Sequence, residues 1–224
     1  WLTFEQLNNT ALFDVHALHP RYGIGGADFS STTDLTAAVV LFMLPNDPHI
    51  YVMAMFWLPE ELLERRVRED RIPYDLWKDQ GYLRTCEGNK VRQKDVTDWF
   101  LEVQNDLDCY IYRGGYDAWS ASYWVDEMQE TFGKGVFTPV QQTMKVLSLP
   151  MKQLGADFDS KLIVYNNNPV LKWCLANTGI VEDKNGNIKP NKTSKARKRI
   201  DGLAALLDAF VVFQDCQDDY KSML

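Results

Sequence analysis

Three strand-forming runs, at 22–29, 36–44 and 50–57, lie so close together in the chain that their pairing is nearly fixed. Val39-Val-Leu-Phe42 and Ile50-Tyr-Val52 are rich in the β-branched and aromatic residues that suit a pleated surface. Pro45-Asn-Asp-Pro48 between them is hairpin-loop chemistry. Links this short join antiparallel neighbours, because a parallel crossover takes about a dozen residues or more. The runs therefore predict an antiparallel meander.

The rest of the chain alternates. Pro59-Glu-Glu61 opens a helix, with acids at its positive end, that carries Leu62, Leu63 and Val67 and stops before Pro73. The stretch through Tyr74, Trp77 and Gly81 reads as a connection. Val96, Trp99, Phe100 and Val103 recur at helical spacing over 95–105. A strand at 108–113, a helix at 119–131, a short strand at 135–140 and helices at 147–154 and 170–176 follow. Residues 179–190 read as a hairpin turning at Asn185-Gly186, with short polar arms that predict it to project from the core. The last helix spans about 200–212; 1–20 is a lead-in segment and 215–224 a frayed tail. Together these predict one α/β domain over 1–224, a mixed sheet with an antiparallel start, flanked by helices. The order matches the ribonuclease H-like arrangement. There, an acid on the first strand meets a second at the end of the fourth strand and a third from a late helix.

Hydrophobic residues make up 46% of the chain and aromatics 12%, as in a packed core. The longest nearly apolar run, 35–44, is about half a membrane span. The start, Trp1-Leu-Thr-Phe-Glu-Gln-Leu7, has no basic flank or apolar stretch of a secretory signal and no initiator Met, so the chain reads as a fragment. Cys86, Cys109, Cys174 and Cys216 are scattered without a CxxC pair and read as free thiols. His16 and His19 lack a partner at metal-site spacing and read as loop residues. The net charge of −7 argues against nucleic acid, but its distribution does not. Seven of the 24 basic residues, and no acid, fall between Lys184 and Arg199: Lys184, Lys189, Lys192, Lys195, Arg197, Lys198 and Arg199. Such a stripe beside an acid-rich site suits a phosphodiester enzyme, with cations on the backbone and carboxylates on metals; the plainer reading is a solvated loop.

Three aspartates carry the candidate chemistry. Asp28 ends the run Tyr22-Gly-Ile-Gly-Gly-Ala-Asp28, where Gly25 and Gly26 permit close approach by a ligand or neighbouring strand. Asp117 follows Gly114-Gly-Tyr116, and capping the next helix is its alternative role. Asp201 opens the last helix, where capping is again the alternative; Gly202 beside it suggests that this helix approaches something closely. Asp34 returns near Asp28 if residues 30–34 turn, or serves only the turn. Asp208 lies about 10 Å further along the last helix and is a weaker ligand candidate. Gathered by a fold, these oxygens suit Mg²⁺ or Mn²⁺, and two ions about 4 Å apart promote in-line displacement at phosphorus.

The motifs resemble the nuclease domain of tailed-phage terminase large subunits across nearly the whole chain. Gly26-Ala-Asp-Phe-Ser-Ser-Thr-Thr-Asp-Leu-Thr-Ala37, Phe56-Trp-Leu-Pro-Glu60, Pro73-Tyr-Asp-Leu-Trp77 and Gly81-Tyr-Leu83 resemble its start, and Tyr116-Asp-Ala-Trp119 its second acid motif. Asn168-Pro-Val-Leu-Lys-Trp173, Asn177, Asn185-Gly-Asn-Ile-Lys-Pro-Asn-Lys192 and Arg199-Ile-Asp-Gly-Leu-Ala-Ala205 resemble its C-terminal signature. The resemblance implies a Mg²⁺- or Mn²⁺-dependent endonuclease that cuts concatemeric viral DNA during packaging, with two ions when DNA is bound. It maps the metal ligands to Asp28, Asp117 and Asp201 and an accessory acid to Asp34, and lets the hairpin near Asn185 contact DNA or gate the site. It implies double-stranded DNA, a motor ATPase domain of the same polypeptide, portal protein and small terminase subunit as partners, and the cytoplasm of an infected bacterium as the place of action. No G-x-x-x-x-G-K-[ST] phosphate loop occurs, so a cutting domain without its motor is expected. Competing readings are another ribonuclease H-like resolvase or integrase, an actin-like ATPase, which lacks a second Gly-rich loop here, and a docking module for DNA or portal with inactive carboxylates.

Overall fold

A computed structural model describes residues 1–29, 35–118, 124–192 and 199–224, with Lys192 described by its backbone alone. The three early runs form β1 (Tyr22–Asp28), β2 (Thr36–Phe42) and β3 (Ile50–Pro59), antiparallel in turn as expected. They are preceded by two single-turn helices, α1 (Phe4–Leu7) and α2 (Val15–Leu18). After β3 come α3 (Glu60–Asp70), α4 (Tyr74–Asp79) and β4 (Leu83–Cys86). The region of α4 and β4 reads as a mere connection in the sequence. It is ordered because Tyr74 and Trp77 are buried and β4 pairs in parallel with the end of β3. Then follow α5 (Gln93–Leu107), β5 (Tyr110–Asp117), α6 (Trp124–Phe132), β6 (Phe137–Val140), α7 (Met144–Asp159), the two-residue β7 (Ile163–Val164) and α8 (Pro169–Asn177). The hairpin is β8 (Thr178–Glu182) with β9 (Ile188–Lys192), and α9 (Asp201–Asp215) and α10 (Gln217–Ser222) finish the chain.

Strand order in the seven-stranded sheet is β4-β3-β2-β1-β5-β6, with β7 also on β3. Only β2 runs against the rest. Alternation along β2 divides the core into two layers. Ala37, Val39 and Leu41 face the cluster that holds Leu203, Leu206 and Phe210 of α9, and Ala38 and Val40 face Val96, Trp99 and Phe100 of α5. On the second face Trp124 is sealed in, its indole N–H donating to Thr97 Oγ1 at 2.9 Å.

Two expectations about the periphery need correction. The tail is not frayed: Tyr220 of α10 is fully buried, its hydroxyl donating to the Tyr22 carbonyl (2.8 Å) and accepting from the Met43 N–H (3.0 Å). That one aromatic anchor ties the end of the chain to β1 and the end of β2. The hairpin forms its own two-stranded sheet but lies along α7 rather than standing clear of it. The Ile188 N–H donates to Ser148 Oγ, Lys152 Nζ donates to the Gly186 carbonyl, and Ile188 is buried. Its turn is wider than the two-residue form that Asn185-Gly186 suggests. The Asp183 carboxylate accepts from the N–H groups of Asn185 and Asn187, and Gly186 supplies the positive φ of 76°.

The contact on which the layers depend is made by glycines. A Cβ at Gly26 would lie 2.1 Å from the Ala205 carbonyl oxygen and 2.7 Å from Ala209 Cβ, and one at Gly115 would lie 2.4 Å from the Asp208 carbonyl oxygen. The backbone of α9 thus rests directly on β1 and β5, so a helix, not a ligand or strand, is what these glycines admit. Gly26→Ala is expected to destabilise by at least about 1–3 kcal/mol in a denaturant melt, the cost of overpacking a rigid contact. Gly155→Ala in α7, where the nearest atom is 3.4 Å away, is expected to gain up to about 1 kcal/mol. Equal effects at the two sites would remove the close contact as the organising feature.

Candidate functional site

Asp28 and Asp117 are the last residues of β1 and β5, two adjacent parallel strands. Ala27 pairs with Tyr116, so the two acids follow side by side, on strands about 4.8 Å apart. Their direction follows from the period of two. Ile24 and Gly26 face the α9 layer and so does Asp28; Gly115 faces α9 and so does Asp117. Both carboxylates therefore leave the carboxyl edge of the sheet on the side that α9 covers.

The helix supplies the other acids. α9 starts above the row Phe56–Ala37–Asp28, since a Cβ at Gly202 would meet the Phe56 ring at 3.0 Å and Leu171 at 3.1 Å. The close approach expected at Gly202 is thus to the core. The helix then passes over Gly26 and Gly115 toward β5. Asp201 is its first residue, 5% exposed, and the cap position belongs to Ile200, so Asp201 is not the N-cap. Asp208, two turns on, is 1% exposed. Gln142 Nε2, just beyond the β6 end that pairs with Asp117, donates to Asp208 Oδ1 at 2.8 Å and to the Val140 carbonyl at 3.3 Å. Oδ2 of Asp208 has no hydrogen-bond partner among the described residues. Burial drives the Asp208 carboxyl well above the usual carboxylate range; the Gln142 N–H opposes this, and the charge of Asp117 adds to it.

The structure thus joins Asp28 to Asp117 and lays the helix that carries Asp201 over the same face. Among the described residues, no three His, Cys, Asp or Glu side chains close around a single ion position. What they offer is a face of hard carboxylate oxygens, which suits Mg²⁺ or Mn²⁺ by chemistry. Asp34 lies outside the described residues, as do Lys195, Arg197 and Lys198. Lys184 is exposed on the hairpin turn and Lys189 half-buried on β9. Arg199 departs from expectation. It is 3% exposed and paired with Asp70, so it does not belong to a DNA-facing stripe. Asp208 with Gln142 is the pair that sequence reasoning underrated. The signal was an acid amid the apolar Leu203-Ala-Ala-Leu-Leu207 run, where burial is forced by its neighbours.

The raised Asp208 carboxyl makes a prediction with a definite sign. The folded protein retains a proton that the unfolded chain releases near pH 4, so this group costs stability progressively as pH rises above about 4, until it ionises in the fold. Asn has no proton to lose. In metal-free buffer Asp208→Asn should melt increasingly above the parent as pH is raised through that window. A difference in Tm that does not change with pH would mean that burial leaves Asp208 unperturbed.

Residues 1–216 match the family described as terminase large subunit, endonuclease domain. The chain is 32% identical over 191 residues to the large terminase subunit of Enterobacteria phage HK97, an alignment covering 84% of this chain and 36% of that protein. The crystal structure of the HK97 large terminase superposes with a TM-score of 0.76 at 30% identity, over 86% of this chain and 40% of that one. The large-terminase nuclease domain of bacteriophage SPP1, solved with bound Mn, shares the fold at a TM-score of 0.51 and 14% identity, over 93% of this chain and 94% of that one. The chain spans well under half the length of the curated relatives it matches. A helix resting on glycines, acids at the ends of adjacent parallel strands and a match over almost the full length lead to one conclusion: this chain belongs to the terminase large subunit endonuclease-domain family.

Proposed function

We propose that this chain is a metal-dependent DNA endonuclease that cuts concatemeric viral DNA during packaging, with Asp28, Asp117 and Asp201 as cation ligands and Asp34 as an accessory acid. The observation that carries the reading is the pair Asp28 and Asp117 at adjacent strand ends beneath α9, in a chain of this family. Mn bound in the SPP1 nuclease domain supports a hard divalent ion, Mg²⁺ or Mn²⁺; the proposal adds a second ion when DNA is in place, as in-line displacement at phosphorus is served by two. Such ions, once bound, activate water and stabilise charge at phosphorus. The residues' part is to hold them: strand ends fix Asp28 and Asp117, and the glycine contact fixes α9 against them. Lys184, Lys189, Lys192, Lys195 and Lys198 attract the phosphate backbone as point charges without reading bases. Partners under this reading are double-stranded DNA, a motor ATPase domain on the same polypeptide, portal protein and small terminase subunit, in the cytoplasm of an infected bacterium. Among the described residues no helix is long and apolar enough to cross a membrane.

Nicking of a supercoiled plasmid with Mn²⁺, and its loss with EDTA, is the direct test. Asp28→Asn should abolish nicking and keep the parent's melting temperature, since shape is preserved and only the charge that holds a hard cation is removed. Parent-like nicking by that variant would refute the assignment, and loss of folding would make Asp28 structural. Replacing Lys192, Lys195 and Lys198 by Gln should weaken binding to all duplexes alike and flatten the salt dependence by about 0.9 log units per lost phosphate contact. An unchanged salt slope would move the DNA path away from this segment.

A further inference from the structure

Arg199 closes the basic run yet points inward. Its Nη2 lies 3.3 Å from Asp70 Oδ2, and the two side chains are only 4% and 3% exposed. The Tyr74 hydroxyl donates to the same Asp70 oxygen at 3.0 Å, and Asn177 Nδ2 donates to the Arg199 carbonyl at 3.2 Å. Asp70, the last residue of α3, and Asn177, the last of α8, thereby meet Arg199 directly, and Tyr74, the first of α4, reaches it through Asp70; Arg199 stands two before Asp201.

Such a pair is an expensive way to fill space. Removing both charges from water costs what their attraction only partly returns, and apolar residues of similar volume commonly do as well or better. What apolar packing does not supply is direction, because a planar guanidinium fixes the orientation of the carboxylate it meets. Direction is needed here: Ile200, at the cap position of α9, has an aliphatic side chain that cannot cap the helix start.

We propose that Arg199, Asp70 and Tyr74 form a positioning clamp that sets the Asp201 carboxylate for cation binding. The proposal rests on Asp201 being a cation ligand. It also explains why the final residue of the basic segment faces the protein core: the clamp ends the DNA-facing run and begins the metal-facing helix. In this proposal the three are positioning residues, acting through Asp201.

The test replaces the pair by apolar side chains, Arg199→Met with Asp70→Leu, and titrates Mn²⁺ by calorimetry and by plasmid nicking. The double variant should fold, bind Mn²⁺ about tenfold or more weakly, as loss of a ligand's orienting partner does, and regain its nicking rate at high Mn²⁺ with KM for DNA unchanged. Tyr74→Phe, which removes only the hydrogen bond to Asp70, should shift the Mn²⁺ midpoint the same way by less. Arg199→Lys should recover part of the loss. A folded double variant with the parent's Mn²⁺ affinity would overturn the clamp. If the double variant fails to fold, an unshifted midpoint in Tyr74→Phe overturns it instead. Asp201→Asn separates the two levels. If it leaves Mn²⁺ binding and nicking intact, the ligand assignment fails and the clamp with it. If it abolishes both while the clamp variants behave as the parent, only the clamp fails.

Discussion

Everything at this site depends on a helix backbone lying directly on a sheet. Gly26 and Gly115 sit side by side on β1 and β5, and their missing side chains let α9 settle onto the two strands. The next pair, Gly25 and Gly114, makes room for an aromatic side chain on the opposite face, where a Cβ at Gly114 would lie 2.4 Å from the Phe137 ring. Glycine in a strand interior is unfavourable by itself. Here the loss is offset by dense packing on both faces, because interiors tolerate little void. The consequence is geometric: acids one step beyond the glycines emerge at the edge of the sheet, under the helix that brings Asp201 and Asp208.

That arrangement is electrostatically self-opposed. Carboxylates gathered on one face repel one another, and one of them, Asp208, is held away from water with one oxygen hydrogen-bonded among the described residues. A fold can relieve such repulsion by keeping a proton or by binding a cation. The raised Asp208 carboxyl is the first remedy, and the proposed Mg²⁺ or Mn²⁺ site is the second. The Arg199–Asp70 pair lies just outside this group and keeps a compensated charge beside Asp201, with which Arg199 interacts electrostatically. Its burial follows the same rule, since charge is kept inside only where a partner meets it.

The division between what could be read and what could not follows the range of each interaction. The meander was legible because short links and a period of two act within a few residues, and Asp28 and Asp117 were legible because glycine pairs and strand ends mark them locally. Tail docking escaped because it turns on Tyr220, in a polar stretch, meeting Tyr22 and Met43 far back in the chain. Arg199 misled because a run of like charge looks solvated until its partner is known, and that partner, Asp70, is 129 residues away.

By itself the sequence determined the strand order at the start of the sheet, the strand ends that carry the first two acids and the family motifs, all of them set by neighbours along the chain. Only the tertiary structure decided that α9 lies on glycines, that Asp208 is held by Gln142 across 66 residues, and that Arg199 belongs to the core rather than to a solvated basic run. The physical reason is that burial and charge compensation are properties of a site rather than of a segment. A carboxylate or guanidinium has the same local sequence whether water or a distant partner meets it, and only folding chooses between them.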